Sequence, residues 1–224
     1  MTSRAPAPAF AESRQPVRRR LPGPERRVLI LNAALRTFAA NGYDGAAMEE
    51  IAAAAGISKA VVYDHVASKR ELYTHLLELV HRDLERTIKE ALSASETDEA
   101  RRLHAAADAL FRYVEEQPEA FRLLLLELQG ASVTPLGREL EERITDGLAQ
   151  RLDGELDLFD GHPDRARQVR IFAELLKSAV LGLARWWHRH PEIPREDLVA
   201  HTVALVWPAI EHARGPRSDP AAGA

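Results

Sequence analysis

The chain has 224 residues, enough for one large domain or for a small module joined to a larger one. An apolar content of 46%, a charged content of 29% and a formal net charge of −4 are ordinary for a globular protein. No run approaches the ~18 apolar residues of a membrane span, no apolar stretch follows the N-terminal arginines as in a secretory signal, and the lack of cysteine excludes disulfides and thiolate metal sites. The expected setting is cytoplasmic.

The charge is unevenly spread. Residues 1–70 carry eleven Lys or Arg against six Asp or Glu, and residues 71–224 carry nineteen against twenty-eight. A basic front on an acidic body predicts that only the front meets a polyanion. Residues 1–24 have prolines at positions 6, 8, 16, 22 and 24 and little apolar surface, which predicts a disordered Arg/Pro-rich arm. Its Arg14, Arg18, Arg19 and Arg20 are candidates for a minor groove or for backbone phosphates; a solvated tail is the alternative.

From Glu25 a helical pattern begins, with Val28, Leu31, Leu35 and Phe38 predicting one apolar face and Asn41-Gly42 a left-handed stop. Met48, Ile51, Ala52 and Ala55 repeat the pattern, and Gly56 ends it. Ser58 caps a third helix, which must be short because Ser68 opens another cap ten residues later. Ser68-Lys69-Arg70-Glu71 fits a capping box, and Leu72, Leu76, Val80, Leu84, Ile88 and Leu92 then step by four along one long helix. Further helices are expected near 97–116, 118–129, 135–153, 163–189 and 194–213, with Pro208 kinking or ending the last. Nothing alternates with period two, so the expected fold is all-α.

Three short helices with a glycine between the second and third describe a helix-turn-helix, although any small three-helix bundle shares that periodicity. The exposed residue types add to it. Lys59, Tyr63, His65 and Lys69 can donate to phosphates or base edges, and Val61 can meet a thymine methyl.

Ile30, Ala33-Ala34, Phe38, Asn41-Gly42-Tyr43, Ile51-Ala52, Ala55-Gly56-Ile57-Ser58, Val62-Tyr63, His65 and Ser68-Lys69 stand at fixed spacing, followed by Leu72. With them, the run from Val28 to Leu77 resembles the DNA-binding domain of TetR-family transcriptional regulators. The resemblance implies a DNA-binding domain over residues 25–70, a helical ligand-binding and dimerisation domain over 71–214, and a disordered tail over 215–224. It implies DNA contacts from Ser58, Lys59, Ala60, Val61, Tyr63, His65 and Lys69, with Tyr63 and Lys69 on phosphates and Lys59 and Ala60 at base edges. Two departures stand out: Ala47 where the family usually has a capping, phosphate-touching threonine, and Val66 where it usually has phenylalanine.

In the second domain Phe111, Arg112, Phe121, Leu125, Gln129, Phe172 and Leu176 are candidates for a ligand pocket, with plain core as the alternative. On the last two helices Ala179, Gly182, Trp186, Val199, Val203, Val206 and Ile210 are candidates for a dimer interface, because the apolar faces are broader than one buried stripe requires. No metal-ligand spacing, phosphate loop or nucleophile elbow occurs, so neither a metal, a cofactor nor enzyme chemistry is expected. The reading is a homodimeric repressor released from a palindromic operator by a small, mostly apolar ligand. The alternative is a ligand-binding or sequestering protein of the same fold that has lost specific DNA binding.

Overall fold

The computed structural model describes residues 23–94, 98–128 and 135–214. The arginine arm, Gln129 and the C-terminal tail lie outside the described residues. Among those described there are nine helices and no strand: α1 (Gly23–Gly45), α2 (Met48–Ala54), α3 (Lys59–Tyr63), α4 (Lys69–Ala94), α5 (Glu99–Glu116), α6 (Pro118–Leu128), α7 (Pro135–Glu155), α8 (Arg165–Trp187) and α9 (Arg195–Arg214).

The local signals in the first three helices act as their chemistry predicts. Gly42 breaks the regular helix within α1 at φ 70°, ψ 177°, and its lack of a Cβ makes that left-handed φ cheap. The α2–α3 turn is a Schellman motif: Ile57 N–H donates to Ala52 O and Gly56 N–H to Ala53 O, both at 3.0 Å, with Gly56 at φ 68°. Ser58 Oγ then caps α3 by accepting from Val61 N–H at 3.4 Å. Ala47 has no side-chain oxygen to cap α2, so half a capping box remains, in which its own N–H donates to Glu50 Oε2 at 3.4 Å. Glu50 also accepts from Asn41 Nδ2, tying the α1 stop to the start of α2.

The buried face of α1 differs in part from the expected one. It is made by Ile30, Ala33, Ala34, Phe38 and Ala39, while Val28 is 56% exposed and Leu31 and Leu35 are half-buried. Of the expected face, Phe38 is buried and Leu31 and Leu35 pack against the same core, so only Val28 was misassigned, while the alanines were overlooked. Ala33 and Ala34 are fully buried because small side chains permit close approach, and α2, α4 and α6 all pack against this helix.

α4 opens on the Ser68 cap, with Glu71 N–H donating to Ser68 Oγ at 3.1 Å. The Glu71 carboxylate reaches back to Ala67 N–H at 2.6 Å, one residue before the cap. Leu72, Tyr73, Leu76, Leu77 and Val80 bury into a cluster that joins α1–α3 to Tyr113, Ala120, Leu123, Leu124 and Leu140 of α5, α6 and α7. A second cluster unites Phe111 and Phe121 with Trp187, Leu198 and Val199. A third gathers Leu152, Leu158, Val169, Ala173 and Ile210.

Pro208 neither ends α9 nor stops it early; the helix runs on to Arg214. Pro208 and Ala204, four residues before it, are both exposed, so the carbonyl freed by the missing N–H can face water.

Because the first cluster runs from α1 to α7, the N-terminal helices are expected to unfold together with the rest. Leu77→Ala removes a fully buried side chain from it and should lower stability by about 2–5 kcal/mol. Helical circular dichroism and the fluorescence of the tryptophans on α8 and α9 should shift by the same amount in denaturant. A fluorescence transition left at its original position would show that α1–α4 unfold alone.

Candidate nucleic-acid interface and adjoining cavity

α3 has only five residues and is held by Val62, fully buried, and by Val66 just after it, which fills the place of a larger ring against the same core. This anchoring turns the opposite side outward. Ser58, Lys59, Ala60 and Tyr63 are exposed, and Val61 and His65 are half-buried. The short helix is therefore a presented surface whose conformation is set from behind.

Lys59 is not loose on that surface. Its ammonium pairs with the Glu49 carboxylate of α2 and stands 5.8 Å from the centre of the Tyr63 ring. The hydrogen bond between them lowers the Glu49 pKa and raises that of Lys59. Both groups are well exposed, so the pair orients Lys59 more than it stabilises the fold. A phosphate or base edge would have to compete with Glu49 for this lysine. Sequence reasoning passed over Glu49, which lies in the first turn of α2 and meets Lys59 only because α2 and α3 pack together.

Lys69 sits apart from α3, at the start of α4. Its ammonium lies 4.7 Å from the centre of the Tyr43 ring and donates to Asp44 O at 3.3 Å. Tyr43 in turn meets Tyr73 edge-on at 4.9 Å, and Phe38 closes the group at 5.0 Å from Tyr73. The Tyr73 hydroxyl donates to Glu127 Oε2 of α6 at 2.9 Å, in a fully buried setting. Burial, followed by the hydrogen bond to Glu127, pushes the Tyr73 pKa well above its usual value. Glu127 was missed in the sequence, yet it occupies the stripe that Ala120, Leu123 and Leu124 define, where a carboxylate stands out.

Beneath α4 lies a cavity of about 320 Å³ walled by α4–α9. Leu84, Ile88 and Leu92 of α4 face it, together with Leu124 and Leu128 of α6 and Leu148 of α7. Of the expected pocket residues Phe121, Leu125 and Leu176 line it. Phe111, Arg112 and Phe172 do not. Phe111 packs edge-on against Trp187 at 5.9 Å, Arg112 points outward to Asp108, and Phe172 packs on Phe159 at 6.2 Å. An aromatic ring or a charge in a central helix marks core or rim as readily as a pocket wall, and that ambiguity caused the misplacement.

The cavity's polar groups were not foreseen. His81 is buried on α4, and that burial lowers its pKa against the opposing pull of Glu85. Lys177 reaches the cavity from α8 with its ammonium bonded to Thr145 Oγ1 and Glu174 Oε2, both at 2.8 Å, and 3.5 Å from Glu141. Burial would raise the Glu174 pKa, but hydrogen bonds from Lys177 and Thr145 outweigh it and lower the value. Lys177 falls on the buried stripe of Val169, Ala173, Ala184 and Trp187, which is the signal that could have found it.

The expected interface residues divide. Ala179 and Trp186 are exposed, Gly182, Val203 and Val206 are half-buried, and Val199 and Ile210 are buried inside the chain. Val199 and Ile210 are therefore core. The large exposed apolar side chains of α8 and α9 are the expected Trp186 together with Ile171, Leu175 and Leu205, which were not among the expected residues. Among the described residues no group of three or more His, Asp or Glu could hold a metal, and no helix is long and apolar enough to cross a membrane.

Residues 30–76 match the family described as "Bacterial regulatory proteins, tetR family". Over 196 residues, 86% of each chain, the protein is 32% identical to the HTH-type transcriptional activator FasR of Mycolicibacterium smegmatis. It is 21% identical to an uncharacterised HTH-type transcriptional regulator, YhgD of Bacillus subtilis, over 78% of this chain and 91% of that one. A TetR-like regulator from Rhodococcus sp. RHA1 superposes with a TM-score of 0.68 at 21% identity, covering 86% of this chain and 99% of the other. A TetR-family regulator from Streptomyces coelicolor gives 0.67 at 24% identity, covering 87% and 83%. Helix order, recognition-helix motif and near full-length relatedness agree, and the chain belongs to the TetR family of transcriptional regulators, which are DNA-binding proteins and not enzymes.

Proposed function

We propose that the protein is a cytoplasmic homodimer that binds a palindromic operator and changes its affinity when a small, mostly apolar ligand enters the cavity. The observation that carries this reading is the double use of α4, which starts at the half-buried Lys69 beside the recognition helix and ends as a wall of the cavity. Each subunit would lay Ser58–His65 in the major groove of one half-site, the two lying about 34–36 Å apart or a multiple of it. Tyr63 and Lys69 would take phosphates, and Lys59, once released from Glu49, would reach a base edge. The arginine arm would add phosphate contacts.

Repression by covering a promoter is the simplest outcome of such binding. Activation is the second reading, favoured by the name of the Mycolicibacterium smegmatis relative. In vitro transcription from templates carrying the selected operator upstream of, or across, the promoter separates the two. The sequestering alternative predicts no preferred duplex at all in random-sequence selection.

Tyr63→Ala and Lys69→Ala are both expected to weaken every duplex alike; Lys69→Ala, which removes a charge, should also reduce the slope of log affinity against log salt by about one, whereas Tyr63→Ala, which removes a neutral donor, should leave the slope unchanged. Lys59→Ala should instead change which bases are selected. Anisotropy titrations across a salt series measure the first effect, and repeated selection measures the second.

For the dimer, Leu175→Glu or Leu205→Glu places a charge on an exposed apolar position and should give a folded monomer in sedimentation. A dimer unaffected by both would move the interface elsewhere. For the effector, Leu148→Trp is expected to fill the cavity and abolish binding of anilinonaphthalene sulfonate without loss of DNA affinity. Unchanged dye binding would place the ligand site outside the cavity.

A further inference from the structure

A carboxylate buried among apolar side chains is expensive unless its partners are well placed. Glu127 is 1% exposed and accepts the Tyr73 hydroxyl at 2.9 Å. The position is not at a surface and not in the cavity wall, so solubility and ligand contact do not explain it. One of its interactions fixes Tyr73, and the consequences of fixing Tyr73 run in one direction.

The Tyr73 ring is the edge against which Tyr43 rests, 4.9 Å between centres at 60°. Tyr43 follows the left-handed break at Gly42, where the chain has lost regular helical support. Its ring therefore depends on side-chain neighbours for its place. The opposite claim on Tyr43 comes from Lys69, whose ammonium lies 4.7 Å from the ring centre and also donates to Asp44 O in the same short segment. Both contacts that hold Lys69 thus belong to residues 43 and 44. We propose that Tyr73 and Glu127 are positioning residues for Lys69, presenting its ammonium to DNA through Tyr43.

This inference rests on the DNA-binding reading and extends it. It also gives α6 a direct route to the DNA surface. Phe121, Leu124, Leu125 and Leu128 line the cavity on the same helix that carries Glu127. A rotation or slide of α6 would be transmitted to Tyr73 through its hydrogen bond to Glu127. Tyr73 and Lys69 lie on one rigid helix, so the part of the assembly free to respond is Tyr43 and its segment.

The test uses the full-length protein and a mixed-sequence duplex, because phosphate contacts do not depend on sequence. Tyr73→Phe keeps the ring and removes the donor. Glu127→Met removes the acceptor, and Glu127→Gln keeps an oxygen that can accept the hydroxyl. Tyr73→Phe and Glu127→Met should each bind the duplex about two- to thirtyfold more weakly than wild type and show the reduced salt slope of Lys69→Ala. Glu127→Gln should restore both. In the Lys69→Ala background the Tyr73→Phe change should have no further effect on affinity.

Thermal unfolding of each variant keeps a folding defect separate, and Glu127→Met serves if Tyr73→Phe does not fold. Full additivity of Tyr73→Phe with Lys69→Ala, or an unchanged salt slope in both positioning variants, would overturn the proposal. Wild-type protein that fails to bind any duplex would overturn the DNA-binding reading itself. The two failures are thus distinguishable.

Discussion

The apolar stripe of α4 is the constraint on which the other elements depend. The helix has 26 residues and so spans ~39 Å at 1.5 Å per residue. Its stripe must be covered along most of that length. The first half, Leu72 to Val80, is covered by α1–α3 and by parts of α5, α6 and α7. The second half, Leu84 to Leu92, is half-buried and faces a cavity. One rigid rod thus has a well-packed end beside the recognition helix and a loosely packed end beside empty space. Tight packing resists displacement at the first end, whereas the second borders a cavity and has fewer packed neighbours to resist it. Any change in tilt imposed at the cavity is carried to the packed end, because the helix has no internal break to absorb it.

Much of this organisation was legible in the residues. The helix boundaries followed from capping serines, from glycines at left-handed positions and from prolines at first turns, all of which act over a few residues and do not depend on tertiary context. Ser58, Gly56 and Ser68 are examples where the local chemistry and the observed hydrogen bonds agree. What was less legible involved the choice of face. On α1 the fully buried Ala33 and Ala34 outrank the larger but exposed Val28, because helix–helix approach selects small residues and periodicity counts large ones. On α8 and α9 the broad apolar surfaces were read as one interface, yet Val199 and Ile210 turn inward while Leu175 and Leu205 turn out. A sequence shows how many sides of a helix are apolar, but not which side a second copy would have to cover.

The recognition helix shows why the DNA surface cannot be treated as a separate element. Five residues are too few to hold a helix in water. α3 exists because Val62 and Val66 are buried, because the Gly56 turn supplies the backbone bonds of a Schellman motif, and because Ser58 caps it. The two valines hold it from behind the exposed face, and the Gly56 turn and Ser58 cap hold it at its start. The missing cap oxygen at Ala47 weakens the start of α2 but leaves α3 intact, since Glu50 still accepts from both Ala47 N–H and Asn41. The departure from the family pattern therefore removes a cap oxygen without dismantling the motif.

Two buried charges break the apolar core, and their surroundings assign them different work. Lys177 is met by Glu174, Glu141 and Thr145, so its charge is compensated locally by α7 and α8. Such a cluster, satisfied within one helix pair, holds that pair in register and sends nothing onward. Glu127 instead ties two elements that are far apart in the chain, accepting the Tyr73 hydroxyl of α4 at 2.9 Å from its place on α6. A buried hydrogen bond weakens steeply as it lengthens or bends, and the buried groups it joins cannot turn to water instead. A contact that is good only at one geometry makes the relative position of α6 and α4 a discrete choice instead of a continuum. On the proposed reading this discreteness, placed between a cavity wall and the ring under Lys69, would let a helix shift at the cavity change what the DNA surface offers.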